Sequence, residues 1–219
     1  MLNDNDAVTT WENKVDGNTV SQSSASQKPI FKTNIINGHP VVRFDGSNDE
    51  LTEDTADMLD VNGLTGMTVF CVATNIADSV TDSFGTIISR DGSGDRGFAV
   101  FTTDSGDLGG TLVAITSSTR ALRDTSGSVY INPVILTSVY DGATNALDIY
   151  VNGTLDNGGL SGSVPSSIGN GGDILRLGAT GFGENFNGDV AEILVYNRAL
   201  TGGELTTVTD ALKAKYNIP

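Results

Sequence analysis

Asp189 and Glu192, two acids close together near the end of the chain, are the first place to look for hydrolysis. Cleaving a glycosidic bond with retention needs two carboxylates about 5–5.5 Å apart in one cleft. The stretch that carries them reads as a β-strand, and their odd spacing puts them on opposite sides of it. His39 is the only histidine, so a Ser-His-Asp site or a histidine-containing metal cluster would depend on it. It stands in a turn just before Pro40 and reads as an exposed turn residue. Cys71 is the only cysteine and lies in the apolar run Met67 to Ala73, which suggests a buried structural thiol rather than a nucleophile. No enzyme is expected.

Recognition by contact is better represented. Phe182-Gly-Glu-Asn-Phe186 combines aromatic faces, which can carry sugar rings, with a carboxylate and an amide that can bind hydroxyls. Phe182, Glu184, Asn185 and Phe186 are therefore the candidate ligand-binding residues, with Trp11 and Tyr130 as further aromatic candidates. Asn152-Gly-Thr154 matches a glycosylation acceptor, but a tight turn after Tyr150-Val151 explains it without sugar.

The elements that position these residues are short strands. Val41–Phe44, Gly85–Ser89, Gly97–Thr102, Leu112–Thr116, Val134–Tyr140, Leu147–Val151 and Ile174–Gly178 are each rich in β-formers and separated by turn chemistry. Separators include Asn37-Gly38, Asp91 to Asp95, Asp104 to Asp107, Asp141 to Asn145 and Asn152-Gly153. Ile135–Tyr140 and Leu147–Val151 read as one hairpin closed by Asp141 to Asn145. Leu64 to Thr74 is apolar on both alternating sets, as in a central strand covered on both faces. Glu192 would share a face with Val190, Leu194 and Tyr196, and Arg43 or backbone amides would partner it. At the end of the chain, Thr201-x-x-Glu204 is a capping box that opens a helix from Gly202 to Tyr216. Leu205, Val208, Leu212 and Tyr216 form its apolar stripe, and Lys213 and Lys215 suit its negative end.

Composition narrows the classes further. The 219 residues, 38% hydrophobic with 27 glycines, suit one large turn-rich β-sandwich domain over 1–219. Twelve basic residues against 27 acidic ones give a net charge of −15. Such a surface repels phosphate backbones and anionic membranes, so neither nucleic acid nor membrane insertion is expected. A lone cysteine forms no intrachain disulfide, so nothing requires an oxidising compartment. Met1 to Asp6 lacks the basic and apolar regions of a signal peptide. Two expectations follow: a route to a surface outside general secretion, as for a virion component, or a piece of a longer chain.

The two motifs Asn37-Gly-His-Pro40 with Arg43-Phe-Asp-Gly46, and Phe186-Asn-Gly-Asp189 running through Tyr196-Asn-Arg-Ala-Leu200 into the helix, resemble the laminin-G-like jelly roll of the concanavalin A-like superfamily. The resemblance covers the chain from about Trp11 onward. It implies an all-β sandwich of two antiparallel sheets with a short C-terminal helix packed on its rim. It also implies a non-catalytic module that binds carbohydrate or a surface partner through rim loops, at an extracellular or virion surface. A phage virion structural or host-attachment protein on the same fold is the alternative. A polysaccharide-cleaving enzyme is disfavoured, because the Glu-x-Asp-x-x-Glu strand of related laminarinase-type enzymes is missing. By the same resemblance one structural calcium ion is expected between Asp45, in an early Asp-Gly turn, and Asp189, at the start of the closing strand. Ala191 stands where relatives often place a second acid. Asp91 to Asp95 looks slightly like a calcium loop, but it lacks the later glutamate and reads as a hairpin tip.

Overall fold

The computed structural model describes residues 2–54, 58–75, 84–92, 96–103, 108–114, 118–128, 132–169 and 174–219. The first half of the chain supplies β1 (Thr10–Glu12), β2 (Thr19–Ser21), β3 (Ile30–Ile36), β4 (His39–Asp45), β5 (Leu51–Glu53), β6 (Gly66–Asn75), β7 (Phe84–Asp91) and β8 (Arg96–Thr103). The second half supplies β9 (Leu108–Ala114), β10 (Arg120–Ser128), β11 (Val134–Asp141), β12 (Ala146–Val151), β13 (Thr154–Leu155), β14 (Leu160–Gly162), β15 (Arg176–Leu177), β16 (Asn187–Tyr196) and the helix α1 (Gly202–Tyr216).

These strands make two antiparallel sheets. One has nine strands in the order β1-β2-β5-β15-β7-β8-β9-β10-β14, the other seven in the order β13-β12-β11-β6-β16-β4-β3. Between them lies the main core, with Phe44, Met67, Val69, Phe98, Tyr140 and Phe186 among its fully buried members. A second apolar layer sits on the other side of the seven-stranded sheet. There Phe70, Val72, Ile135 and Val139 meet Leu205, Leu212 and Tyr216 of α1. The helix therefore covers the outer face of the seven-stranded sheet instead of resting on the rim of the sandwich. The reason is in β6: Met67, Val69, Cys71 and Ala73 face the sandwich, while Phe70 and Val72 need a cover on the far side. Among the described residues no helix is long and apolar enough to cross a membrane.

The local rules hold where side chains enforce them. Glu204 accepts the Thr201 backbone N–H at 2.8 Å and the Thr201 hydroxyl at 2.9 Å, which starts α1 on the expected residue. Arg198 grips the same carboxylate at 2.7 and 2.9 Å. Hydrogen bonds from Arg198 and then Thr201 hold the Glu204 carboxyl down at about 2. The β11–β12 hairpin closes as expected, with the Asp141 carboxylate accepting the Ala143 N–H at 3.0 Å and the Thr144 hydroxyl at 2.8 Å. At the Asn37-Gly38 and Asn152-Gly153 turns both central residues have positive φ, the mirror-image geometry that matches strand twist.

Several strands are additions to the sequence reading, and β3 and β10 are the longest of them. β3 carries polar residues within Ile30–Ile36 and breaks register between Lys32 and Ile36, with Asn34 at φ 55°. β10 runs through Arg120, Arg123 and Asp124. Strand pairing, not alternation, makes both. Parts of the expected Leu112–Thr116 strand and Asp91–Asp95 tip, and all of Asp104 to Asp107, lie outside the described residues.

Candidate functional site

The segment joining β15 to β16 is built as a strap along β7. Gly178 starts it with φ +86°, and any Cβ there would meet the Phe44 ring at 2.2 Å, so only glycine lets the chain pass. Its backbone then bonds to β7 in sequence: Gly178 N–H to Ile87 O, Gly181 N–H to Asp91 O, and Thr86 N–H to Glu184 O, at 2.9 to 3.2 Å. The Ser89 hydroxyl adds a bond to Ala179 O. Inside the strap, the Thr180 hydroxyl donates to the Glu184 carboxylate at 3.1 Å and accepts the Phe182 N–H at 3.2 Å. Asn185 donates through Nδ2 to Ser47 O at 2.9 Å and to Gly183 O at 2.7 Å, which ties the strap to the turn after β4.

The outcome separates the two phenylalanines. Phe182 is 47% exposed, the guanidinium of Arg96 lies 4.7 Å from its ring centroid, and Arg96 itself pairs with Asp91 at 3.2 Å. A cation over one ring face is attracted to its negative quadrupole and fixes the plane, leaving the other face outward. Phe186 is 0% exposed and packs on Phe44 with centroids 6.4 Å apart. Its expected role as a contact residue is corrected: it anchors the strap to the core. Phe182, Glu184 and Asn185 remain together at the surface. Trp11 is half-buried against the sandwich core, and Tyr130 lies outside the described residues.

The sequence matches a known family. A family model called Laminin_G_3, described as the concanavalin A-like lectin/glucanases superfamily, matches residues 45–206. The chain belongs to this family. No curated protein matches it in sequence. Among solved structures it is similar to the heptameric SAP-like pentraxin of Limulus polyphemus, at 17% identity and a TM-score of 0.56, over 76% of this chain and 80% of that one. It is also similar to the CBM40 of a Ruminococcus gnavus IT-sialidase bound to α2,3-sialyllactose, at 17% identity and a TM-score of 0.57, over 77% of this chain and 96% of that one. A botulinum neurotoxin serotype D binding domain aligns at 12% identity with a TM-score of 0.58, over 94% of this chain, which spans about half of that domain (51%). At these identities the likeness is one of fold. It is a fold used by binding modules and compatible with a non-enzymatic role.

The two acids expected to hold calcium have other employment. Arg43 takes both Asp189 oxygens, at 2.7 and 2.8 Å, and the pair raises the Arg43 pKa. Asp45 turns one carboxylate oxygen onto the N–H groups of Ser47 and Asn48, an Asx turn. Among the described residues no three His, Cys, Asp or Glu side chains are grouped to hold a metal. The donors present do not fit an ion between Asp45 and Asp189, because calcium would have to displace a bidentate arginine. An unchanged melting midpoint is expected on adding calcium and then chelator. A chelator-sensitive shift lost in Asp45→Ala would overturn this.

Asp49 is the acid that spacing did not single out. It is buried, its carboxylate accepts the Asp45 N–H at 3.1 Å, and burial followed by the charge of Asp45 pushes its pKa up to about 6. A raised carboxyl pKa in the folded state means that ionisation costs stability. The cost is full above pH 6 and disappears as pH falls through 6 toward the unfolded value near 4. Asp49→Asn keeps an acceptor for Asp45 and is expected to raise the melting temperature at pH 8, with the gain vanishing near pH 4. Melting both forms across that range is the check, and a constant difference would sink the argument.

Three more expectations resolve here. Glu192 does not share a face with Val190, because β16 bulges against β6 between Val190 and Glu192. Val190 enters the sandwich core, and Glu192 turns to the helix side and meets Lys215 at 3.1 Å. Arg43, its expected partner, is held by Asp189. His39 is half-buried as the first residue of β4 and stacks edge-on against Tyr216 at 5.1 Å, so it is a packing residue rather than an exposed turn residue. Cys71 is fully buried, and burial pushes its thiol pKa up, away from thiolate chemistry. A cleft of about 680 Å³ beside the end of α1 has aliphatic walls such as Ile35, Pro133 and Ile218 with asparagine amides, but its one aromatic, Tyr216, is buried.

Proposed function

We propose that this domain is a non-catalytic recognition module that binds carbohydrate through the strap between Gly178 and Phe186. The observation that carries the reading is Phe182: an exposed aromatic plane, braced from behind by Arg96, with Glu184 and Asn185 beside it. A sugar ring offers an apolar C–H face to such a plane and hydroxyls to the neighbouring acceptors. Support also comes from the fold neighbours, one of which is described as bound to sialyllactose and others as toxin binding domains. Because glycans of this kind stand on cell surfaces, the domain is proposed to act outside the cell or on a particle surface.

The test is a glycan array with the wild-type domain and with Phe182→Ala. Wild-type hits are expected to weaken by about tenfold or more in the variant, the loss of one stacked ring. Its melting temperature should stay within about 1–2 °C, since an exposed ring adds little to the core. Equal binding by both forms would remove the strap from the site, and a wild type with no hits would remove carbohydrate as the ligand.

A further inference from the structure

Resting on the carbohydrate reading, we infer that the strap selects uncharged glycans and rejects acidic ones, because Arg96 is already neutralised and the hydrogen-bonding atoms left over are acceptors.

Among the described residues, the cations around the strap are all committed. Arg96 pairs with Asp91 at 3.2 Å while lying under Phe182, Arg43 is held by both oxygens of Asp189, and Arg176 pairs with Glu50 at 3.4 Å. The carboxylates are not balanced in the same way. Glu184 is held by the Thr180 hydroxyl, Asp45 by backbone N–H groups and Asp49 by one backbone N–H, and among the described residues no cation pairs with any of them. The strap and its supporting turn therefore carry a net negative field, on a chain whose overall charge is −15.

The hydrogen-bonding chemistry points the same way. Asn185 spends its Nδ2 on two backbone carbonyls, and this fixes the amide, because flipping it would set oxygen against oxygen. What it presents is Oδ1, an acceptor. Glu184 uses one oxygen on Thr180 and presents the other, again an acceptor. Acceptors need donors, and sugar hydroxyls supply them. A sialic acid or uronic acid carboxylate, or a sulfate, supplies only further acceptors and a like charge. Rejection of the wrong glycan is thus built from repulsion as well as from missing pairs.

The decisive measurement compares matched probes, lactose with α2,3-sialyllactose and other neutral oligosaccharides with their sialylated or sulfated forms, at about 50 and 500 mM salt. Wild type is expected to bind the neutral member at least tenfold tighter at low salt, and the gap should narrow at high salt as the repulsion is screened. Asp91→Asn removes the charge that neutralises Arg96 without touching the ligand. It is expected to shrink the ratio of neutral to acidic binding severalfold, a ratio taken within one protein so that any loosening of the strap acts on both members. The salt series in wild type needs no variant and stands if Asp91→Asn fails to fold. Equal or tighter binding of the acidic member by wild type, or a gap that widens with salt, would overturn the inference. Binding to neither class would overturn the carbohydrate reading and this inference together.

Discussion

Replacing Glu53 with alanine is expected to cost about 3–5 kcal/mol of stability, because it breaks a buried ion pair and takes one acid away from the Arg90 charge. The guanidinium of Arg90 lies 3.3 Å from Glu53, and their side chains are 4% and 1% exposed. Each partner has a second attachment. Arg90 donates to Leu59 O at 2.7 Å, and Glu53 accepts the Met58 N–H at 3.1 Å, so the pair also pins the segment after β5. At roughly 2–4 °C per kcal/mol for a chain this size, the melting temperature should fall by about 6–20 °C. Urea titration of the variant gives the number directly, and a loss below about 1 kcal/mol would show that water or other groups already carry the Arg90 charge. The double change Glu53→Leu with Arg90→Met should recover much of the loss, because both charges of the pair are then removed together.

Neither half of that pair was visible from the sequence, and the reason applies to the site as well. What periodicity and turn residues encode locally was legible: the β11–β12 hairpin, the two-faced apolar pattern of β6, the capping box at Thr201 and the length of α1. What was lost arises from contacts between segments distant along the chain. Arg96 and Phe182 meet only because the strap folds back along β7, and Asp49 is buried where the strap crosses its turn, with Gly178 against Asp49 O and Gly46 bonded to Phe186 O. The bulge at Val190–Glu192 flips the face of one acid and hands it to Lys215, a change that strict alternation cannot foresee. Calcium between Asp45 and Asp189 was reasonable from position along the chain. Position does not reveal that Arg43, directly opposite Asp189 in register, holds that carboxylate.

Phe182 and Phe186 stand four residues apart in one strap, yet substitution should separate stability from recognition. Phe186→Ala is expected to cost about 3–5 kcal/mol, the range for removing a fully buried aromatic ring and leaving a partly collapsed cavity. Its ring is enclosed by Phe44 and by Gly188, where a Cβ would come within 2.3 Å of it, so the walls are already as close as backbone allows. Because Gly46 donates its N–H to Phe186 O and Asn185 donates to Ser47 O, the strap and its supporting turn should loosen together. Glycan affinity should then fall in Phe186→Ala too, though its ring never touches a ligand. Adding the neighbouring turn variant Asp45→Ala should produce less than the sum of the two stability losses, since both act on one packed unit. Thermal and urea denaturation of Phe182→Ala, Phe186→Ala and the Phe186→Ala/Asp45→Ala pair, each beside a glycan-binding measurement, provide the comparison. The assignment of anchor and platform would be reversed if Phe182→Ala lost the stability and Phe186→Ala lost only the binding.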